Sequence, residues 1–349
     1  MELREHEQVD VVGAHRHHHD PPRRRRYGAL VVGVLGVAAL FLLRGLSAAG
    51  SVTLPDALQD LLTLSISVIV ESLPFVVLGI ILSIVVQVWL PEAWLLRYLP
   101  RNGVLRRLLI SMLGVFFPVC ECGNVPLARG LMVRGFSVSD SMTFLLAAPI
   151  INPITIITTY QAFGWDGSIL LGRIAGGLLI ANLVGWLFSQ HTQPMSLLTP
   201  RFAAECQVPD AHSHPEGRRE QSFQLFAREA GVIMPALFIG SVIAGAIQVL
   251  VPRSVLVTLG ADPVWSILAL MALAFVVSVC SNVDAFFILP FASTFLPGSV
   301  VAFLVFGPVI DVKMLTLMRT TFTVRTLAQL TLVVGLLSLL VGLVVNFIA

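Results

Sequence analysis

The stretch Phe117-Pro118-Val119-Cys120-Glu121-Cys122-Gly123-Asn124-Val125-Pro126 decides the fold. It lies in the middle of an apolar segment, residues 104–134, that is long enough to cross a bilayer. Two prolines bracket it and Gly123 permits a sharp turn. If the segment crosses the membrane fully, Arg129 and Arg134 emerge outside, and so does the arginine-bearing stretch 191–224. That breaks the positive-inside rule twice. If the segment instead dips in and returns, all of these arginines stay inside. The sequence therefore predicts a re-entrant hairpin with its tip at Cys120–Asn124.

Working outward, the rest of the chain takes its place around this hairpin. Only 12% of the 349 residues are charged and 56% are hydrophobic, against roughly 25% charged in an average soluble protein. Mean hydropathy is +0.88. A soluble globule cannot hide that much apolar surface, so the chain reads as an all-α polytopic membrane protein. The net charge of +2 gives no nucleic-acid footprint. Lys313 is the only lysine and no glycine-rich phosphate loop surrounds it, which excludes a P-loop ATPase. No cofactor motif is found.

The expected organisation begins with a disordered His/Arg-rich cytoplasmic tail, 1–27, and an N-terminal transmembrane helix, 28–49. A signal peptide is the alternative reading of the second. Membrane repeat 1 follows over 57–190, a cytoplasmic linker over 191–224 and membrane repeat 2 over 225–349. The repeats are read from residues in matching order. Pro74, Gly79 and Gln87 fall on Pro235, Gly240 and Gln248 at an offset of 161. Cys120 and Asn124 fall on Cys280 and Asp284 at 160, and Pro149 and Asn152 on Pro308 and Asp311 at 159. Each repeat holds three full spans and one hairpin (264–294 in the second). Three is odd, so the second repeat enters upside down. Inverted repeats with broken helices are a secondary-transporter architecture, with the substrate site near the midplane. The N-terminus falls on the cytoplasmic side of a cell membrane, and lipid is the surrounding partner.

Chemistry collects at the tips. Cys120, Cys122 and Cys280 would present soft sulfur to a thiophilic species, and buried cysteines acting as small hydrophobes are the plain alternative. Asn124 is a substrate-binding candidate that is also expected to cap the second half-helix of the first hairpin, and Ser281 or Asn282 that of the second. Asn152 stands beside a proline break, where it either touches substrate or repairs the backbone. Intramembrane carboxylates default to functional hypotheses. Here these are Glu71, Glu121, Asp284 and Asp311, each a proton-coupling candidate. The structural alternative pairs Asp311 with Lys313 or Arg319, and Glu71 with Arg173. Lys313 itself is expected to snorkel. His15, His17, His18 and His19 offer at most weak metal capture, and Cys206 is incidental.

The run Pro-Val-Cys-Glu-Cys-Gly-Asn-Val-Pro-Leu from Pro118, the run Phe-Leu-Leu-Ala-Ala-Pro-Ile-Ile-Asn-Pro ending at Pro153, and Asp284-Ala285-Phe286 resemble the ArsP/YraQ-like predicted permease family. The resemblance covers nearly all of the chain from about residue 57. It implies a permease, not an enzyme, and efflux of trivalent organoarsenicals, with arsenic resistance as the phenotype. By the same resemblance, substrate binding falls on Cys120, Cys122 and Cys280. A permease for another soft metal or small solute remains open. So do a membrane thiol-redox protein cycling Cys120 and Cys122, a scaffold for a soluble partner, and homo-oligomerisation.

Overall fold

A computed structural model describes residues 23–48, 54–90, 99–117, 119–165, 168–207, 217–250 and 263–348. His15, His17, His18, His19, Pro118, Arg97, Arg253, His212 and His214 lie outside them. The regular structure of the described residues is helical apart from one isolated bridge between Leu198 and Phe322.

Helix α1 runs Arg23–Ala48 and starts inside the arginine run, ahead of the boundary read at residue 28. Helix α2 is Asp56–Ile84, prolonged by a π turn Val85–Trp89. Then come α3 (Gly103–Phe116), α4 (Glu121–Val133), α5 (Val138–Ile151), α6 (Pro153–Phe163) and α7 (Ser168–Ser189). The second half holds α9 (Arg218–Leu250), α10 (Pro263–Val277), α11 (Asp284–Ile288), α12 (Pro297–Phe306), α13 (Val312–Met318) and α14 (Val324–Ile348). Between the halves lies α8, Pro200–Gln207. Among the described residues, five stretches are long and apolar enough to span a bilayer: Asp56–Trp89, Val138–Phe163, Ser168–Ser189, Arg218–Leu250 and Val324–Ile348. The chain is a multi-pass membrane protein.

Segment 104–134 turns back on itself. Arg106 on α3 pairs with Asp140 at the start of α5, Nε to Oδ2, at 3.0 Å. Near the far ends of these helices Gly114 packs so closely on Ala148 that a β-carbon would collide with it. Helices α3 and α5 are therefore parallel. Helix α4 joins α5 through a short turn in which Gly135 has φ 87°, a left-handed conformation that glycine adopts readily. So α4 runs antiparallel to both, and the tip meets the end of α5, where Asn152 Nδ2 donates to the Val119 carbonyl at 3.1 Å.

The same register recurs in the second half. Ser266 on α10 bonds Ser299 on α12 at 2.7 Å, and Ala274 packs on Gly307. The chain leaves α10 through Ser278, whose φ of 51° is unusual for a residue with a side chain. That conformation costs about 1–2 kcal/mol. The returning arm is short: α11 has five residues and passes into a 3₁₀ turn, Leu289–Phe291. Phe287 stacks on Phe303 at 5.9 Å and anchors it to α12.

Burial separates the helices into two classes. Every residue of α5 is buried, as are nearly all of α4 and α12. By contrast α2, α7 and α14 bury one face and expose large apolar residues on the other, among them Val70, Leu171 and Leu336. The second class forms a rim whose outward apolar face suits lipid.

The stretch between the halves does more than link. Phe202, Leu197 and Leu198 are buried, and backbone bonds tie Thr199 N to Thr321 O and Thr323 N to Leu197 O. Helix α8 is thereby held against the turn that precedes α14. One end of the molecule gathers Arg106, Arg129, Asp140, Glu205, Arg228 and Thr320 through these contacts.

Candidate functional site

Both tips arrive at one buried cluster. Helix α4 begins one turn earlier than a cap at Asn124 requires. Cys120 occupies the N-cap position without a side-chain bond, and Glu121 is the first helical residue. Glu121 is fully buried and collects donors from the other half of the chain. Lys313 Nζ lies 3.1 Å from Oε1. Ser281 donates to Oε2 from its backbone N at 3.2 Å and from its hydroxyl at 2.8 Å.

Three thiols surround the same carboxylate. Cys280 Sγ lies 3.5 Å from Oε2 and Cys122 Sγ 3.8 Å from Oε1. Cys122 also donates toward Ser72 Oγ at 3.7 Å. Cys120 and Cys280 are both buried beside Glu121. The ligand atoms of Cys120, Glu121 and Cys122 all fall within 4.8 Å of one another. This is a fully buried soft donor set, and it fits a thiophilic metal or metalloid better than a hard cation. Glu71, half-buried on α2, precedes Ser72, whose hydroxyl Cys122 approaches.

A second buried pair crosses between the halves nearby. Arg173 on α7 holds Asp284, the first residue of α11, in a two-point clamp: Nη1 to Oδ1 at 2.9 Å and Nη2 to Oδ2 at 2.6 Å. The same guanidinium donates to Thr159 Oγ1 at 2.7 Å and to the Ser281 carbonyl at 3.4 Å. Thr155 Oγ1 donates to Asn282 Oδ1 at 3.2 Å beside it.

The geometry corrects several expectations. Arg173 pairs with Asp284 and not with Glu71. Lys313 does not snorkel; its side chain is wholly buried and directed at Glu121. Asp311 pairs with neither Lys313 nor Arg319 among the ion pairs described. Its Oδ1 caps α13 through Met314 N, while Arg319 donates to the Phe322 carbonyl. Asn124 is no cap: it sits in the first turn of α4, fully buried, with neither amide atom bonded. Neither Ser281 nor Asn282 caps α11, whose N-cap is Val283. Asn152 spends both polar atoms on the backbone, accepting from Ile154 N and donating to Val119 O, so it repairs the break ahead of Pro153. The site therefore joins Cys120, Glu121, Cys122 and Cys280, with Glu71 at its edge. Ser72, Ser281 and Lys313 are the members the sequence did not reveal. A lone lysine within an apolar segment was the available signal for Lys313.

A third polar layer closes the arginine-rich end. Arg129 on α4 bonds Glu229 on α9, Nε to Oε2 at 3.0 Å, and donates to the Thr320 carbonyl at 3.2 Å. Its guanidinium lies 4.1 Å from the centre of the Phe202 ring, a cation–π contact. Glu205 on α8 bridges Arg228 at 2.8 Å and Arg129 at 3.7 Å. Burial raises the Glu205 carboxyl, with the two arginines opposing it. Burial, with the Glu205 charge beside it, pushes the Cys206 thiol up to about 11. At neutral pH this thiol is almost entirely protonated and a poor nucleophile. Alkylation of Cys206 by iodoacetamide, followed by mass spectrometry, is expected to speed up about tenfold per pH unit from 7 toward 10. A rate that levels off near pH 8.5 would contradict this.

Comparison with known proteins places the chain. Residues 57–347 match the model of a family described as a predicted permease, ArsP_1. The chain belongs to that family. It is 36% identical over 283 residues to the UPF0718 protein YcgR of Bacillus subtilis (strain 168), covering 78% of this chain and 92% of the relative. A Streptococcus mutans protein named as a putative two-component membrane permease complex subunit is 33% identical over 79% of this chain and 91% of its own. The UPF0718 protein YraQ of Escherichia coli K12 is 30% identical over 39% of this chain and 38% of its own length. No solved structure matches. Permeases move solutes and do not transform them, so this family member is a transporter, not an enzyme.

Proposed function

We propose that this permease is a secondary-active exporter of trivalent organoarsenicals or a closely related thiophilic solute. The observation that carries the reading is the convergence of Cys120, Cys122 and Cys280 on one buried point. A trivalent arsenical R–As(OH)₂ forms two As–S bonds as two thiol protons leave with two hydroxides as water. The reverse exchange releases it. Three adjacent thiols allow the solute to pass from one to another without a closed cage.

The architecture behind this reading is a pair of inverted repeats with re-entrant hairpins. Its support is a contact between residues at equivalent positions. Glu121 touches Ser281, its equivalent at an offset of 160 residues, through both the backbone N and the hydroxyl. Residues that contact their own equivalents lie on a two-fold axis. The recurring registers, Gly114 on Ala148 and Ala274 on Gly307, point the same way. Collection of Arg106, Arg129, Arg201, Arg228 and Arg319 toward one end orients that end, and the N-terminus, to the cytoplasm of a cell membrane. The domain boundaries read from the sequence follow this division. Alternating access then means opening the Arg129 layer and the Arg173 layer in turn around the thiols.

The direct test is a Cys120→Ser, Cys122→Ser double variant in an arsenical-sensitive host. Growth in methylarsenite or phenylarsine oxide is expected to fall to that of cells lacking the protein, with membrane levels unchanged. Undiminished protection would remove the thiol mechanism. The description of the Streptococcus relative favours one addition: a second membrane subunit that co-purifies with this chain.

A further inference from the structure

The fully buried charges around the tips do not balance. Lys313 and Arg173 face three carboxylates, Glu121, Asp284 and Asp311. Glu121 is occupied by Lys313 and Ser281, and Asp284 by Arg173. Asp311 is the one left over: its Oδ1 caps α13, and its Oδ2 is buried without a hydrogen-bond partner. Among the described residues, the elements packed against α13 supply no free cation. On α4, Arg129 is held by Glu229 of α9, and on α9, Arg228 is held by Glu205. Arg218, Arg219 and Glu220 sit at the exposed start of α9. A lone buried carboxylate with an open oxygen is costly as an anion.

We propose that Asp311 is the coupling-proton site of the transport cycle, with its free oxygen taking up one proton from the outer side and releasing it to the cytoplasm as the solute leaves. This rests on the permease reading and singles out one carboxyl among four. A proton needs a single lone pair. A metal cation needs a shell of several oxygens, and Lys313 two residues away repels it. The repeat register adds a second argument. The equivalent of Asp311 in the first half is Asn152, a neutral residue that also caps its helix, α6, accepting from Ile154 N where Asp311 accepts from Met314 N. The fold thus accepts an uncharged amide at this position, and the second half carries a carboxyl in its place.

That equivalence makes Asp311→Asn a conservative test. Proteoliposomes holding the full-length chain would be loaded with methylarsenite and placed in a pH gradient, with arsenic read by elemental analysis. The wild type is expected to accumulate arsenic uphill. D311N is expected to lose at least tenfold of that accumulation while still exchanging internal for external methylarsenite. Accumulation by D311N equal to wild type, or accumulation that follows a sodium gradient, would overturn the proposal. If the wild type neither accumulates nor exchanges methylarsenite, the substrate reading fails and a second measurement decides. Infrared difference spectra of the purified protein across a pH titration are expected to contain a protonated-carboxyl band that D311N removes and Glu71→Gln retains. Survival of that band in D311N sinks the assignment whatever the substrate.

Discussion

Lys313→Met is expected to destabilise the protein by about 3–5 kcal/mol, the usual cost of stranding one member of a buried ion pair. Glu121 would remain wholly buried, with Ser281 and two thiols as its only compensation. Adding Glu121→Gln should restore most of the loss. A glutamine oxygen still accepts from Ser281, and no charge remains to be neutralised. Thermal unfolding followed by fluorescence-detected size exclusion compares the single and double variants. A K313M protein as stable as wild type would mean that Glu121 is not charged in this arrangement.

Arg173→Lys should behave almost as badly as Arg173→Met. The guanidinium meets two carboxylate oxygens, a hydroxyl and a carbonyl at four separate positions. A lysine ammonium is a point charge with no planar fork and cannot reach all four. R173M is expected to cost about 3–5 kcal/mol by stranding Asp284, and R173K to recover about half of that or less. The same thermal assay checks this. Full rescue by lysine would show that charge alone matters and that the clamp geometry does not.

Much of the fold was legible because arginine placement and proline breaks are local signals. Arg129 and Arg134 sufficed to turn segment 104–134 back, and α3 and α4 do run antiparallel. The tips and their thiols were likewise singled out by position, and the structure brings Cys122 and Cys280 to Glu121. The partners of the charged residues were not. Pairing Asp311 with Lys313 looked natural from spacing, but Asp311 is the helix cap and Lys313 points from the first turn toward the other tip. Arg173 and Glu121 find partners 111 and 192 residues away, a separation that no local pattern encodes. Helix α8 was missed for another reason. Leu197, Leu198 and Phe202 are few apolar residues in a polar stretch, and only tertiary contact shows that they are buried.

The exchange of countercharges between the halves has a consequence for biosynthesis. Glu121 leaves the ribosome 192 residues ahead of Lys313, a delay of roughly 10–40 s at ordinary elongation rates. While residues 173 to 284 are being added, the newborn first half holds a carboxylate and Arg173 in or near lipid with neither of their eventual mates made. It has to wait at the insertion machinery, or partly in water, until the remainder arrives. Fragments 1–207 and 208–349 expressed apart should each be degraded, and together they should rescue one another.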